Sequence, residues 1–583
     1  MDIKYTWQIE DIYKNEKEWE KDFEKVKSML DFSAFAGTLG EKQGFLACMK
    51  KSEEVSRILE KLSVYAMMLH DSDTRNSAYD SLYSRVSSLG ASLGANTAFI
   101  TPELTALDNS VLEGYIADPD FSAYDYSLKC LLKKKAHVLS KEEEKLLALS
   151  SEALGSFRDI FTKIDNADLP LGTITHKGEK IELTHGTYGF YMQHPDRALR
   201  KKVFKKYYSA YKDLLNTISA TYYGSVKKDV FYAKACKYDS ALDKALSLED
   251  VDKKVYANLI KTANDALPLL HDYIAQKKKA LKLKQMHMYD MYVPTVEGAD
   301  LKLDYEKAYD LVIQGLKPLG EEYKNLLITA RDNRWIDVFE SKGKRSGAYS
   351  VCVYDTHPYV LLNYTKTTHD VFTIAHEMGH SIHSYYSNKN QPYDKADYKI
   401  FVAEVASTVN EVLLIKHLLA NATDNKLKKY LLSYLLEMIR TTLFRQTQFA
   451  EFEEFSHSSV EQDKPLTKDS ACAKYLSLNQ KYYGKAIVHD EEIATEWARI
   501  PHFYRAFYVY KYATGIISAL AIADRILTEG EVAVKDYFNF LSSGNSDSPV
   551  ELLKIAGVDL TEEKPFISAF KVFGDALEQF KQL

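Results

Sequence analysis

His376 and His380 stand four residues apart with Glu377 beside the first, inside the run Val371-Phe372-Thr373-Ile374-Ala375-His376-Glu377-Met378-Gly379-His380-Ser381-Ile382-His383. On a helix, positions i and i+4 lie one above the other, so both imidazoles can meet a single metal ion. Glu377 projects about 100° around that helix from His376. There it can take a proton from a water on the ion without filling a ligand position. Catalytic zinc usually has three protein ligands and one place left for water. The third ligand is expected to be Glu404, in the apolar run Phe401-Val402-Ala403-Glu404-Val405-Ala406-Ser407-Thr408-Val409-Asn410-Glu411. A carboxylate inside such a helix is costly to bury unless a partner or a metal compensates it. Glu411 falls on nearly the same face and is either an outer partner for a ligating imidazole or itself a ligand. His369 and His383 flank the motif as alternative ligands or cleft histidines. HExxH alone is a short pattern that arises by chance, and the competing reading makes His376 and His380 ordinary helix histidines.

A second constellation lies in Pro501-His502-Phe503-Tyr504-Arg505-Ala506-Phe507-Tyr508-Val509-Tyr510-Lys511-Tyr512-Ala513-Thr514-Gly515. If it is helical, Tyr504, Tyr508 and Tyr512 share a face; if extended, Tyr508, Tyr510 and Tyr512 do. A neutral phenol or imidazole aimed at a developing oxyanion stabilises a tetrahedral intermediate. The alternative is an aromatic core stripe.

The elements that must position these residues follow from periodicity. Trp335 to Tyr364 is the most strand-like stretch, through Gly347-Ala348-Tyr349-Ser350-Val351-Cys352-Val353-Tyr354 and Pro358-Tyr359-Val360-Leu361-Leu362-Asn363-Tyr364, and predicts a small sheet just before the HExxH helix. Thr173 to Leu183 alternates about Lys177-Gly178 and predicts a β-hairpin, after which Pro195 is expected in the first turn of a new helix. Met286 to Asp304 interrupts helical periodicity and reads as a connector between lobes. Elsewhere apolar residues recur at helical spacing, as in Leu59, Leu62, Tyr65 and Leu69.

With 583 residues, only 13 Pro and 24 Gly, the chain predicts two or more largely helical lobes. Its formal charge of −6 is interspersed along the sequence and leaves no basic stripe for a phosphate backbone, so no nucleic-acid partner is expected. Five scattered cysteines form no CxxC pair and fit a reducing compartment. The N-terminal heptapeptide lacks an apolar signal core, and the longest apolar run, Gly515 to Ala523, is too short to span a bilayer. A cytoplasmic protein without membrane association is expected.

His376-Glu377-Met378-Gly379-His380, the Phe401 to Thr408 run, Pro501-His502-Phe503-Tyr504 and Tyr510-Lys511-Tyr512-Ala513-Thr514-Gly515 together resemble the oligoendopeptidase F branch of the thimet oligopeptidase family. Gly343-Lys344-Arg345-Ser346-Gly347-Ala348 and Pro358 to Tyr364 match it as well. The resemblance implies a mainly α, two-lobed helical zincin with a deep substrate cleft and a small β-sheet beside the HExxH helix. It implies one Zn2+ per chain on His376, His380 and Glu404, Glu377 as general base, and oxyanion or substrate contacts from His502 and Tyr512. Substrate backbone would lie along the Gly347 to Val351 edge, touching Gly347, Ala348 and Tyr349, with Tyr508 and Tyr510 as further substrate contacts. The expected domains are an N-terminal helical lobe at 1–110, a family-specific helical segment with the hairpin at 111–200, and a catalytic domain at 201–583. The activity implied is endopeptidase cleavage of short unfolded peptides. Two alternatives stand beside it: a carboxydipeptidase whose substrate carboxylate is held by Lys344 or Arg345, and a non-catalytic helical peptide-binding protein.

Overall fold

The computed structural model describes residues 2–296, 298 and 301–583, so positions 297, 299 and 300 of the expected connector lie outside the described residues. Helices carry most of the chain, and its strands are few and short. The fold is mainly α, in two compact units, each assembled from three separate stretches of chain. One unit comprises Met1–Val138, Asp300–Ala420 and Ala519–Asp559; the other comprises Leu139–Ala299, Asn421–Ser518 and Leu560–Leu583. No helix among the described residues is long and apolar enough to cross a membrane.

In the first unit, the long helix α1 (Lys42–Ser72) and its neighbours bury Trp19, Phe45, Leu62 and Met68. A three-stranded sheet shares that core. Strand β1 (Ile336–Asp337) runs parallel to the central strand β3 (Pro358–Leu361), and β2 (Tyr349–Cys352) runs antiparallel to β3 with Ser350 opposite Val360. All four residues of β3 are buried, as a strand covered on both faces must be. Tyr359 and Leu361 enter the core of the N-terminal helices, and alternation turns Val360 to the opposite face. Helix α2 (Thr368–Asn390), which carries HExxH, packs on the sheet. The Ser350 and Ser381 hydroxyls, 2.8 Å apart, tie strand to helix. Helix α3 (Ile400–Asn421) carries Glu404 and lies across α2.

In the second unit, Thr173–His176 and Glu179–Glu182 form the expected hairpin. Lys177 and Gly178 turn with φ of 50° and 86°, the positive angles that a tight hairpin turn requires. The following helix is Arg197–Asp213, and Asp196 caps it by accepting from the backbone N–H groups of Ala198 and Leu199. Pro195 therefore precedes the cap instead of occupying the first turn, because a carboxylate satisfies two orphan donors that proline cannot.

Candidate metal centre

Helix α2 starts at a capping box, in which the Thr367 hydroxyl accepts from Asp370 N–H and the Asp370 carboxylate accepts from Thr367 N–H. That fixes the helix register, and two turns later His376 and His380 emerge on one face. Their Nε2 atoms are 3.2 Å apart. Glu404 Oε2 lies 3.3 Å from His376 Nε2 and 3.6 Å from His380 Nε2. The three donor atoms thus make a nearly equilateral triangle. Ligands at roughly 2.0–2.2 Å around a tetrahedral zinc stand about 3.3–3.5 Å from one another, so this triangle is one face of such a site and leaves the fourth corner open. Nitrogen, nitrogen and carboxylate oxygen are also a donor set zinc accepts. The residues fit the metal.

Close helix packing brings α3 within reach. A Cβ built on Gly379 would sit 2.5 Å from Ser407 Cα and 2.7 Å from Ala406 O. Only glycine lets the backbones approach that far. Asn410, buried in the same contact, donates to Ala375 O at 2.9 Å and accepts from the Tyr323 hydroxyl at 2.9 Å. One residue further on, Glu411 Oε1 accepts from His376 Nδ1 at 2.7 Å. A carboxylate on the far nitrogen of an imidazole is the arrangement that fixes the ring's tautomer and orientation. Sequence reasoning did not single out Gly379 or Asn410, although a glycine inside the motif and an amide inside an apolar helix were visible signals.

Electrostatics follow from that geometry. Burial opposes charge on His376, yet Glu404 and Glu411 outweigh it and hold the imidazole well above its ordinary pKa. Glu404 is pushed up by burial but held far below the carboxylate range by hydrogen bonds from both histidines. Glu377 is 7% exposed, and burial raises its pKa against the opposing pull of His376 and His380. His383 stands apart from the triangle: it is buried, stacks on Tyr398 at 3.7 Å, and is pushed down to about 3 by burial and by His380. His369 is exposed on the ligand-bearing helix.

A groove of about 270 Å³ connects His369 and Thr373 to Gly347, Ala348 and Asn363. Asn363 Nδ2 donates to Gly347 O at 2.7 Å and holds the loop that leads into β2. Among the described residues the outer edge of β2 has no strand partner. The Tyr349 ring belongs to a different network, since its hydroxyl donates to Asp71 Oδ2 at 3.0 Å. Arg345 pairs with the same carboxylate at 3.2 Å. Lys344 is buried, with its ammonium on Asp337 Oδ1 at 2.5 Å and Phe339 O at 2.8 Å. Lys344 is thus held inside the structure on Asp337, whereas the Arg345 side chain remains 57% exposed.

In the second unit, the aromatic segment is neither one helix nor one strand. Pro501–Tyr504 is a 3-10 turn, Phe507 adopts φ 53°, and a helix begins at Tyr510. The Tyr512 hydroxyl and His502 Nε2 are hydrogen-bonded at 3.3 Å, and the Tyr508 ring lies 5.4 Å from Tyr512 and 6.0 Å from His502. Desolvation and nearby Arg505 hold His502 below its usual pKa, favouring the neutral imidazole. Tyr510 is 1% exposed and packs on the Tyr256 ring, and Tyr504 stacks on Phe161. Those two rings are core.

Residues 190–572 match the model of Peptidase family M3, and residues 103–170 match that of Oligopeptidase F. Oligopeptidase PepF of Bacillus subtilis (strain 168) is 43% identical over 582 residues, 99% of this chain and 87% of that protein. A crystal structure from Chlamydophila abortus superposes with TM-score 0.94 at 36% identity, covering 100% of this chain and 98% of that one. The oligoendopeptidase-F structure from Enterococcus faecium gives TM-score 0.75 at 34% identity, covering 97% and 99%.

Proposed function

The chain belongs to peptidase family M3, a family of zinc metallopeptidases, in its oligoendopeptidase F branch, and on that premise we propose that His376, His380 and Glu404 hold one zinc ion per chain. The chain is a metalloendopeptidase that hydrolyses peptides. Its substrates are short unfolded peptides cut at internal bonds. The observation that carries the zinc assignment is the donor triangle of 3.2, 3.3 and 3.6 Å, closed by Glu411 behind His376.

Held by His376, His380 and Glu404, zinc would supply the Lewis acidity that makes a water acidic near neutral pH and polarises a carbonyl. Glu377, on the same helix and beside the ligand face, accepts the proton of the attacking water and returns it to the leaving amine. Its partly desolvated setting keeps the carboxyl a stronger base than one in water. His502 and Tyr512, already hydrogen-bonded to each other, supply neutral donors for the oxyanion. The outer edge of β2 and the groove at Gly347 and Ala348 offer main-chain groups to an extended peptide backbone.

Mass spectrometry of fragments from a mixture of short peptides tests the reading. Zinc-loaded protein is expected to cut internal bonds, a chelator to stop it, and added zinc to restore it. Release of C-terminal dipeptides alone would overturn the endopeptidase assignment, and an unchanged mixture would overturn hydrolysis altogether.

A further inference from the structure

Glu453 is a carboxyl in the second unit that the hydrolytic step does not use. It sits on the helix Arg445–Glu461 and is 0% exposed. Burial, with repulsion from Asp229, pushes its pKa well above the carboxylate range, so the side chain is a neutral acid. A polar group buried this deeply is costly unless it is hydrogen-bonded. Its Oε1 accepts from the backbone N–H of Phe507 at 2.9 Å.

Phe507 is a point at which the chain needs holding. Its φ of 53° lies in the left-handed region, which bulky L-residues enter only at a cost. Such strain persists where the surroundings enforce it, and it clusters at functional sites. The buried Phe507 ring lies 4.6 Å from the His457 ring and 6.1 Å from that of Tyr256. His457 Nδ1 in turn donates to the Glu453 carbonyl at 2.8 Å, so one helix grips Phe507 by both its N–H and its ring. His502 lies five residues before Phe507 and Tyr512 five residues after it. Residues 505–509 between them belong to neither helix nor strand. Arg505 N–H to His502 O and Lys511 N–H to Tyr508 O close small turns at the two ends of this link, while Phe507 N–H reaches out of it to Glu453.

We propose that Glu453 is a positioning residue for the oxyanion pair: it locks Phe507 in its left-handed conformation and thereby holds the Tyr512 hydroxyl on His502 Nε2 at 3.3 Å. The proposal rests on the reading of His502 and Tyr512 as oxyanion donors. What Glu453 contributes is an acceptor at a fixed point, not a negative charge, and an amide oxygen at that point serves as well. Donors held in advance in the geometry of the transition state need no reorganisation when the oxyanion forms.

Turnover of a quenched peptide by the zinc-loaded protein tests it. Glu453→Gln keeps an acceptor for the Phe507 N–H and should hold kcat within about twofold of wild type. Glu453→Met keeps the shape without the acceptor and should lower kcat about 10–100-fold, with KM and bound zinc unchanged. Should Glu453→Met not fold, Glu453→Asp, whose carboxyl stops a methylene short of Phe507, carries the same expectation. In a Tyr512→Phe background the loss from either substitution should shrink to less than about threefold, because the pair is already broken. Wild-type kcat without the acceptor, an equal loss in Glu453→Gln, or the same loss in both backgrounds would overturn the positioning role alone. Unchanged kcat in both Tyr512→Phe and His502→Gln would overturn the oxyanion reading and the proposal with it.

Discussion

His376 Nδ1 donates to Glu411 Oε1 at 2.7 Å, and this bond points Nε2 of the same ring at Glu404 Oε2, 3.3 Å away. One carboxylate of α3 thus orients the imidazole for another carboxylate of the same helix. Glu411→Gln keeps the shape but weakens the acceptor. Zinc affinity is expected to fall about 10–100-fold, with activity recovering at high zinc. A zinc titration followed by turnover checks it, and unchanged affinity would remove Glu411 from the centre.

Gly379→Ala places a methyl 2.5 Å from Ser407 Cα. The obstacle is backbone, so α2 and α3 must separate. A loss of about 1–3 kcal/mol of stability is expected, together with weaker zinc binding because Glu404 rides on the displaced helix. Thermal melts with and without zinc measure both effects. A variant with wild-type zinc affinity would show that the close approach does not set the site.

The roles on α2 separate by substitution. Glu377→Gln should lower kcat by about 10²–10⁴ while zinc stays bound at one per chain. His380→Ala should lose the metal. Elemental analysis beside turnover numbers distinguishes them, and appreciable activity in Glu377→Gln protein would end its assignment as base.

Glu60, on α1, titrates outside the catalytic centre. Burial raises its pKa to about 7, Asp355 and Asp397 add repulsion, and only the Tyr354 N–H at 3.2 Å and Arg57 oppose. Its folded pKa thus exceeds the unfolded value of about 4.3, so the folded chain keeps a proton that the unfolded chain releases. The stability this provides is complete below about pH 4.3 and lost as pH rises toward 7, up to about 3 kcal/mol. Glu60→Gln should flatten that fall. Parallel stability profiles for the two proteins between pH 4 and 8 would show that Glu60 does not carry it.

Much of the centre was legible because it is local. An HExxH pair needs only helical periodicity to place two imidazoles on one face, and Glu404 stood out as a charge within an apolar helix. The hairpin at Lys177-Gly178 and the strands on either side of Asp355 were likewise written in alternation and turn residues. Tyr510 and Tyr504 were harder, since a tyrosine in core and one facing a ligand have the same letter. Their burial depends on Tyr256 and Phe161, which lie far away in the chain.

What the sequence determined alone is the chemistry: two imidazoles a turn apart, a carboxylate between them, a second acidic helix, and the family those words belong to. What only the tertiary structure decided is contact between distant segments. The Gly379 approach to Ser407, the Asn410 bond to Ala375, the burial of Lys344 on Asp337 and the capture of Tyr349 by Asp71 join residues that no periodicity relates. Helical and strand periods describe how a segment faces its surroundings. Which other segment supplies those surroundings is settled by packing of the whole chain.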